Sequence, residues 1–382
     1  MRKRIVVAGI RVGIGLARVL YGLIKLFPTR NKVTFISRQS DDVPIDFVLL
    51  SEELSSRAGL QVKILCRSLG RGLASIGYLF HMVVQMYHIA TSRVVVLDSY
   101  CIPVCILNHK KTLTVIQMWH ALGSFKKFGY SILGKAESST GHAGLDAITV
   151  SKAMHMHENY DIVIASNQRS GQYFAEAFNC DPDKVLVCGL PRVDLLVSKE
   201  KRREIAERIY AAYPVLKEKP TIIFAPTFRR DDSIEPEIRA LVDAIDHDRY
   251  TMILAAHPLT TVGSQDPRVL YLPEFSTMEL LFVSDYLVTD YSAILYEMYA
   301  LEKPVFLYQR DEKAYEANRG FYVSPSEFPS KRYSRAQEIM KAIESQDYDL
   351  GEIRRFIADE GLSTPGNTER MVSIITERIP TA

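Results

Sequence analysis

A chain of 382 residues, of which 47% are hydrophobic, can bury a large core, and its length predicts two domains of roughly 190 residues each. The 47 Lys and Arg residues nearly balance the 45 Asp and Glu residues, so the net charge of +2 argues against a nucleic-acid partner recruited by bulk charge. The five cysteines are odd in number, lie mostly in apolar runs and complete no zinc-binding pattern. These features predict buried thiols in a reducing compartment, and therefore a cytoplasmic protein.

Residues 1–30 form a separate segment that is both basic and apolar. Arg11, Arg18 and Lys25 recur every seven residues, which places them on one helical face, and the remaining faces are apolar. Charges at this spacing argue against a signal peptide or a membrane span. We expect an amphipathic helix that lies on an anionic membrane surface. The alternative is an ordinary helix packed on the body of the protein.

From residue 33 onwards, short apolar runs alternate with helical patterns, which is typical of parallel βα units. A turn cluster and two prolines place the domain boundary between Asp194 and Pro220, and we predict domains 31–198 and 199–382. A tail helix over 365–378 is expected to cross back to the first half. The predicted strands are 33–37, 61–66, 93–98, 114–119, 161–166 and 184–188, then 221–225, 251–256, 269–272, 286–289 and 304–308.

The stretch 283–297 indicates a nucleotide-binding turn. A buried strand ends near Thr289, an acidic turn follows at Asp290, and a helix is expected to start near Ser292. Unpaired N–H groups at a helix start bind phosphate, and Glu297 lies where an acidic side chain can hold ribose hydroxyls. The alternative is that Asp290 or Ser292 only caps the helix.

Further candidate residues follow the ends of more strands, where open α/β sheets bind their ligands. His120 is suited to remove a proton from an attacking hydroxyl, and Lys126 and Lys127 to attract a phosphate-bearing acceptor. Arg229 offers a fork for phosphate oxygens, and His257 offers a second donor. By contrast, His155 and His157 lie in a polar stretch and are expected at the surface.

Together these motifs resemble the CDP-glycerol glycerophosphotransferases of wall teichoic acid synthesis. The resemblance covers roughly residues 93 to 325. Two positions depart from the usual family pattern: Ala121-Leu122-Gly123 replaces Gly-Thr-Pro, and Glu297 replaces Asp. The motifs, in chain order, are Trp119-His120, Gly189-x-Pro191-Arg192-x-Asp194, Pro226-Thr227-Phe228-Arg229, His257-Pro258, Thr289-Asp290-Tyr291-Ser292, Lys303-Pro304 and Arg319-Gly320-Phe321-Tyr322.

The resemblance implies a GT-B architecture, in which two Rossmann-like domains face a central cleft. It also implies a peripheral membrane enzyme on the cytoplasmic face of a bacterial cell membrane, with CDP-glycerol as donor and an undecaprenyl-diphosphate-linked saccharide as acceptor. By this resemblance His120 is the base, His257 contacts the phosphate or the transition state, and Glu297 holds the ribose. The residues that it assigns to the diphosphate are Thr227, Arg229 and Ser292, and its motifs add Arg192, Thr289 and Asp290 as substrate-binding candidates.

We therefore expect transfer of glycerol phosphate from CDP-glycerol with release of CMP, by a priming enzyme that adds one unit or a few. No resident metal is required, although Mg²⁺ can assist through the diphosphate. CDP-ribitol is an alternative donor, because it differs from CDP-glycerol only in its carbinol groups. The motifs are also compatible with a GT-B sugar transferase that uses a nucleotide sugar and, more remotely, with an inactive nucleotide-binding scaffold.

Overall fold

The computed structural model of the chain describes residues 2–69, 74–136, 146–227, 234–255 and 266–380. Within these ranges the chain forms two compact units, and each is built around a six-stranded parallel sheet with helices packed on it. This confirms the predicted α/β class with two Rossmann-like halves. Unit 1 consists of Met1–His120, Lys127–Arg192 and Gly366–Ala382, and unit 2 consists of Ala121–Lys126 and Val193–Pro365.

In unit 1 the sheet order is β2-β1-β3-β4-β5-β6. Val33, Phe35 and Val95 are fully buried because helices cover both faces of the central strands. The strands are β1 (Lys32–Ser37), β2 (Gln61–Cys66), β3 (Val94–Leu97), β4 (Thr114–Gln117), β5 (Ile162–Ala165) and β6 (Val185–Val187). The helices are α1 (Arg2–Ile24), α2 (Ile45–Ser55), α3 (Ala74–Thr91), α4 (Ile102–Ile106), α5 (Ala147–Ala153) and α6 (Gln168–Phe178), and α7 (Arg192–Val197) crosses into unit 2.

In unit 2 the sheet order is β12-β11-β10-β7-β8-β9. All strands of this sheet except β12 were predicted; β12 is only two residues long and has no apolar run to mark it. The strands are β7 (Thr221–Phe224), β8 (Thr251–Leu254), β9 (Val269–Leu270), β10 (Tyr286–Thr289), β11 (Val305–Tyr308) and β12 (Arg332–Tyr333). The helices are α8 (Lys199–Ala212), α9 (Glu235–Ala244), α10 (Thr277–Phe282), α11 (Ile294–Ala300), α12 (Glu312–Asn318), α13 (Ala336–Glu344) and α14 (Leu350–Asp359), and the chain then returns to unit 1 as α15 (Asn367–Thr376).

The unit bounds differ from the predicted domains at three places. Residues 193–198 belong to unit 2, whereas the predicted boundary follows residue 198. Helix α15 belongs to unit 1, where it packs on α2, and Met371, Val372 and Ile375 on its inner face are fully buried. The segment Ala121–Lys126 belongs to unit 2, although the predicted boundary lies some seventy residues later. Its Phe125 is 1% exposed within an aromatic cluster of that unit.

Helix α1 packs on unit 1 through a narrow face. Ile14 and Tyr21 are buried, and the Tyr21 hydroxyl lies 2.9 Å from Nδ1 of His109. Two residues of the predicted basic stripe contact the protein body, because Arg18 donates to the carbonyl of Ile106 and Lys25 to that of Asn108. The opposite face is apolar and exposed, and it consists of Ile5, Val12, Leu16, Val19 and Leu23.

Among the described helices, α1 is long and apolar enough to cross a membrane, by length and composition only. Buried core helices and N-terminal signal sequences meet the same criterion. Only 11% of its most apolar stretch is buried, so α1 is not a core helix.

Candidate functional site

His120 follows strand β4 at the carboxyl edge of the unit 1 sheet. The preceding Trp119 has a left-handed backbone with φ of 58°, a conformation that costs free energy in a bulky residue. Buried Gln117 stabilises this turn, because its Oε1 accepts from the Trp119 N–H at 2.9 Å. Its Nε2 donates to the Ser99 carbonyl at 3.1 Å, which ties the end of β4 to the end of β3. Gln117 therefore fixes the turn that presents His120.

The hydrogen bonds of His120 determine which ring nitrogen carries the proton. Nδ1 lies 2.8 Å from the backbone carbonyl oxygen of Asp98. A carbonyl only accepts hydrogen bonds, so Nδ1 donates, and in the neutral ring Nε2 then carries the lone pair that can take a proton. Nε2 of Gln39 lies 3.3 Å from the same Nδ1, and an amide nitrogen and a protonated ring nitrogen both donate. This contact is therefore a hydrogen bond only when the amide is turned so that its oxygen faces the ring.

The side chain of Asp98, whose backbone carbonyl accepts from His120, is 3% exposed. Burial raises the pKa of Asp98 to about 6, and hydrogen bonds from Ser37 and Ser99 only partly oppose that shift. Burial therefore favours the protonated form of this carboxyl group, while the backbone carbonyl of the same residue orients His120.

The Trp119 ring lies in an aromatic cluster of unit 1. It stacks on Phe128 at 4.6 Å and meets Phe178 edge-on at 5.3 Å. His157 lies in the same cluster and is buried, so its predicted surface position is wrong; burial lowers its pKa to about 3. His155 is half-buried and contacts Glu158 at 2.8 Å. Sequence reasoning missed this cluster because its members come from distant parts of the chain.

Unit 2 brings Lys126 and Thr227 together. Lys126 Nζ lies 3.4 Å from the Thr227 hydroxyl, and the Thr227 N–H donates to Oδ1 of Asp290 at 2.7 Å. Lys126 reaches this position because Phe125 is anchored among aromatic rings of unit 2 and because the Tyr322 N–H donates to the Phe125 carbonyl. A cation, a hydroxyl and a carboxylate therefore meet at the carboxyl edge of the second sheet.

Gly123 allows this segment to approach the unit 2 body. A Cβ at Gly123 would lie 2.3 Å from the ring of buried Tyr296 on α11, so no larger residue fits without displacing that ring. The family resemblance does not explain why glycine is needed at position 123, because Ala121-Leu122-Gly123 replaces the usual Gly-Thr-Pro of the family.

Thr289 and Asp290 are buried and hold the loop after β7. The Thr289 hydroxyl donates to the Ala225 carbonyl at 2.7 Å, and the Asp290 carbonyl accepts from Gln309 at 2.8 Å. Both residues therefore position Thr227, whereas their predicted contact with substrate stays a prediction.

The helix after this turn begins close to Ser292, as predicted. α11 starts at Ile294, two residues further on, and it is seven residues long. The Ser292 hydroxyl accepts weakly from the Ile294 N–H at 3.4 Å, a local contact within the turn that precedes the helix. Glu297 lies within α11 and is 3% exposed. The phosphate role of Ser292 and the ribose role of Glu297 stay predictions.

Two further predicted residues that the structure describes, Lys127 and Arg192, make contacts within unit 1. Lys127 belongs to unit 1 and lies 4.0 Å from Glu176, so the adjacent lysines separate. Arg192 donates from Nε and from a terminal nitrogen to Oδ2 of buried Asp46, whose Oδ1 accepts the Arg192 backbone N–H at 2.8 Å. Its motif thus links the end of unit 1 to α2. Arg229 and His257 lie outside the described residues.

Within the described part of the chain, no group of three or more His, Cys, Asp or Glu side chains is arranged to hold a metal ion.

Two parallel α/β units, each with polar residues at the carboxyl edge of its sheet, define the GT-B class of two-domain transferases. The fold matches the structure of the wall teichoic acid polymerase TagF in complex with CDPG, with a TM-score of 0.76, 20% identity, and coverage of 99% of this chain and 97% of that one. A UDP-GlcNAc 2-epimerase from Neisseria meningitidis matches less well, with a TM-score of 0.52 and 14% identity over 91% of this chain and 98% of that one.

The chain belongs to the CDP-glycerol:poly(glycerophosphate) glycerophosphotransferase family, whose sequence model matches residues 20–362. It is therefore a teichoic acid phosphotransferase, as the motifs predict. It is 34% identical to a teichoic acid ribitol-phosphate primase from Bacillus spizizenii over 82% of each chain. It is 24% identical to a teichoic acid glycerol-phosphate primase from the same species over 78% of each chain. A poly(ribitol-phosphate) polymerase of that species is 30% identical over 88% of this chain and 55% of its own length.

Proposed function

We propose that this protein transfers alditol phosphate from a CDP-alditol to a lipid-linked saccharide and releases CMP, and that CDP-ribitol is its preferred donor. The observation that carries the proposal is the hydrogen bond between His120 Nδ1 and the Asp98 carbonyl, which makes Nε2 a proton acceptor. A base held in one tautomer suits a reaction in which a neutral hydroxyl must lose a proton as it attacks.

In this reaction the acceptor oxygen attacks the β-phosphorus of the donor. A new P–O bond forms, the bond to the bridging oxygen breaks, and CMP leaves with that oxygen. His120 takes the proton of the acceptor hydroxyl. Lys126, which the sequence suggested for the acceptor, is here assigned to the donor because it lies 3.4 Å from the Thr227 hydroxyl, and both groups stabilise negative charge on the phosphoryl oxygens. We assign Arg229, His257 and Ser292 to the same phosphoryl oxygens because of the family motifs in which they occur. For the same reason we assign Glu297 to the ribose hydroxyls.

The choice of ribitol over glycerol is supported by the similarity to the ribitol-phosphate primase, which is stronger than that to the glycerol-phosphate primase of the same species. CDP-glycerol, the donor expected from the sequence, is the second candidate because the matching family is described by that substrate. The same primase similarity, which extends over 82% of both chains, supports addition of one unit or a few.

We also propose that the protein works at the cytoplasmic surface of the cell membrane. Support comes from the exposed apolar face of α1 and from Leu79, Phe80 and Val83 on α3, which packs beside α1. Apolar side chains on adjacent helices suit insertion into the boundary between headgroups and acyl chains.

The chemistry requires no resident metal, and Mg²⁺ would act through the donor diphosphate.

Thermal unfolding with CDP-ribitol, CDP-glycerol and a UDP-sugar tests the donor. A ligand at one hundred times its Kd should stabilise the protein by about 2.7 kcal/mol. We expect the largest shift with CDP-ribitol, together with CMP release when a lipid-linked acceptor is added. A larger shift with the UDP-sugar would favour a sugar transferase, and nucleotide binding without CMP release would favour an inactive scaffold.

A further inference from the structure

Two arginines with no assigned role lie at the carboxyl edge of the unit 1 sheet. Arg38 follows β1 and Arg67 follows β2. The Arg67 N–H donates to the Ser37 carbonyl at 3.1 Å, and the Arg38 N–H donates to the Ser99 hydroxyl at 3.0 Å. Both backbones are therefore fixed to neighbouring strand ends, on the same edge of the sheet as His120.

The guanidinium group of Arg67 lies at the beginning of α3, and that of Arg38 lies beside the Tyr100 ring. A Cβ at Gly77 would lie 2.8 Å from a terminal nitrogen of Arg67, so this guanidinium rests directly on the helix. The guanidinium carbon of Arg38 lies 5.1 Å from the centre of the Tyr100 ring. Its charge also acts on the hydroxyl of Tyr78, the residue after Gly77: burial raises the pKa of Tyr78 to about 12, and Arg38 partly opposes that shift.

Among the described residues, no carboxylate lies within ion-pair distance of Arg38 or Arg67. Asp41 is nearby, but its Oδ1 accepts both the N–H and the hydroxyl of Ser68, at 2.8 and 3.1 Å. One turn after Gly77, burial and then the charge of Arg67 lower the pKa of His81 and so favour its neutral form. Two guanidinium groups without a carboxylate at ion-pair distance in the described part of the chain offer a site for phosphate oxygens.

The helix beside these arginines is apolar on its outer side. Leu79 and Phe80 are 61% and 72% exposed, and Val83 and Val84 continue the same stripe. A ligand that fits both features carries an anionic group attached to an apolar chain. Inorganic diphosphate shares only the first of these two properties.

The order of strands in the unit 1 sheet also sets the distance between the two arginines and His120. The order β2-β1-β3-β4 separates the strands that carry Arg67 and Arg38 from the strand that carries His120 by three and two intervals, or about 10 to 14 Å. A short saccharide spans such a distance, with its terminal hydroxyl at His120 and its opposite end at the arginines.

We infer that Arg38 and Arg67 bind the diphosphate that links the lipid to the saccharide of the acceptor, and that the lipid chain follows the exposed stripe of α3. This inference rests on the proposed function, because it assumes a lipid-linked acceptor whose hydroxyl reaches His120.

The experiment compares two soluble acceptors with the same saccharide and the same short prenyl chain, one with a diphosphate linkage and one with an uncharged linkage. Arg38→Gln and Arg67→Gln should each raise the acceptor KM about 10- to 100-fold for the diphosphate compound only. The KM for the CDP-alditol should not change. Gly77→Ala should produce a smaller rise by displacing Arg67, and Arg57→Gln, an exposed arginine of unit 1, is the matched control.

Equal acceptor KM values in wild type and both arginine variants would overturn the inference. Calorimetry with a short prenyl diphosphate and with inorganic diphosphate, both without donor, tests the anion site separately from turnover. The prenyl compound should bind more tightly than inorganic diphosphate, and both arginine variants should weaken its binding. This result is expected even if the wild-type protein releases no CMP from any CDP-alditol. Such a lack of CMP release would refute the proposed function but not the anion site. Equal affinities for the two compounds would contradict the assignment of the α3 stripe to lipid.

Discussion

The Nδ1 atom of His120 lies 2.8 Å from the backbone carbonyl oxygen of Asp98. Since the partner is a backbone group, the tautomer of His120 is set by the position of two neighbouring strand ends and not by the Asp98 side chain. The His120 base and the buried Asp98 carboxyl therefore have separable roles, and substitutions can address each of them.

Replacement of the base tests its role directly. His120→Ala should reduce the rate of CMP release by about 10² to 10⁴, because that is the usual contribution of a general base. Donor binding should persist, because the donor contacts are assigned to unit 2. Turnover within a few-fold of wild type would contradict the assignment, and thermal unfolding with CDP-alditol verifies that the variant still folds and binds.

The adjacent lysines provide a matched pair. Lys126→Gln should weaken donor binding about tenfold, because Lys126 Nζ lies 3.4 Å from the Thr227 hydroxyl at the proposed phosphate site. Lys127→Gln should leave donor affinity unchanged, because Lys127 lies beside Glu176 in unit 1. Calorimetry with CDP-ribitol measures both, and equal effects of the two changes would show that the phosphate site does not use Lys126.

The exposed face of α1 should matter more for membrane binding than the basic stripe does. Leu16→Glu and Val19→Glu change side chains that are 68% and 69% exposed, so the fold should tolerate them. Each should weaken vesicle binding by about 1.5 to 3 kcal/mol, the free energy of burying such a side chain. Arg18→Gln is the control, since Arg18 donates to the Ile106 carbonyl. Co-sedimentation that depends on Arg11 and salt but not on Leu16 or Val19 would instead support the basic-stripe hypothesis.

The buried carboxyl of Asp98 should make stability depend on pH. Its pKa is about 6 in the folded protein and near 3.8 when unfolded, so between these values the folded state binds more protons. The contribution of Asp98 to stability is thus fully present below about pH 4 and is lost as pH rises through 6, a change of roughly 3 kcal/mol. Asp98→Asn should remove this part of the pH dependence and retain the hydrogen bond to His120. Parallel unfolding curves of wild type and variant between pH 4 and 7 would contradict the raised pKa.

The sequence by itself determined the fold class, most of the strands and the family. Strands buried on both faces appear as uninterrupted apolar runs, as in β10, which was predicted with its observed bounds. The edge strand β2, in which exposed and partly buried residues alternate, was also predicted with its observed bounds. The motifs that identify the family are local in the chain, and they placed His120 and Thr227 at strand ends without any knowledge of the packing.

Only the tertiary structure decided which residues share a unit and which groups satisfy each other. Lys126 and Lys127 are adjacent and chemically identical, yet they separate because Phe125 is buried among aromatic rings of unit 2 while Lys127 lies beside Glu176 of unit 1. The Nδ1 proton of His120 depends on a carbonyl 22 residues earlier, and Arg192 pairs with an aspartate 146 residues earlier. Such long-range contacts depend on the order of strands in the sheet, and local residue patterns carry no record of that order.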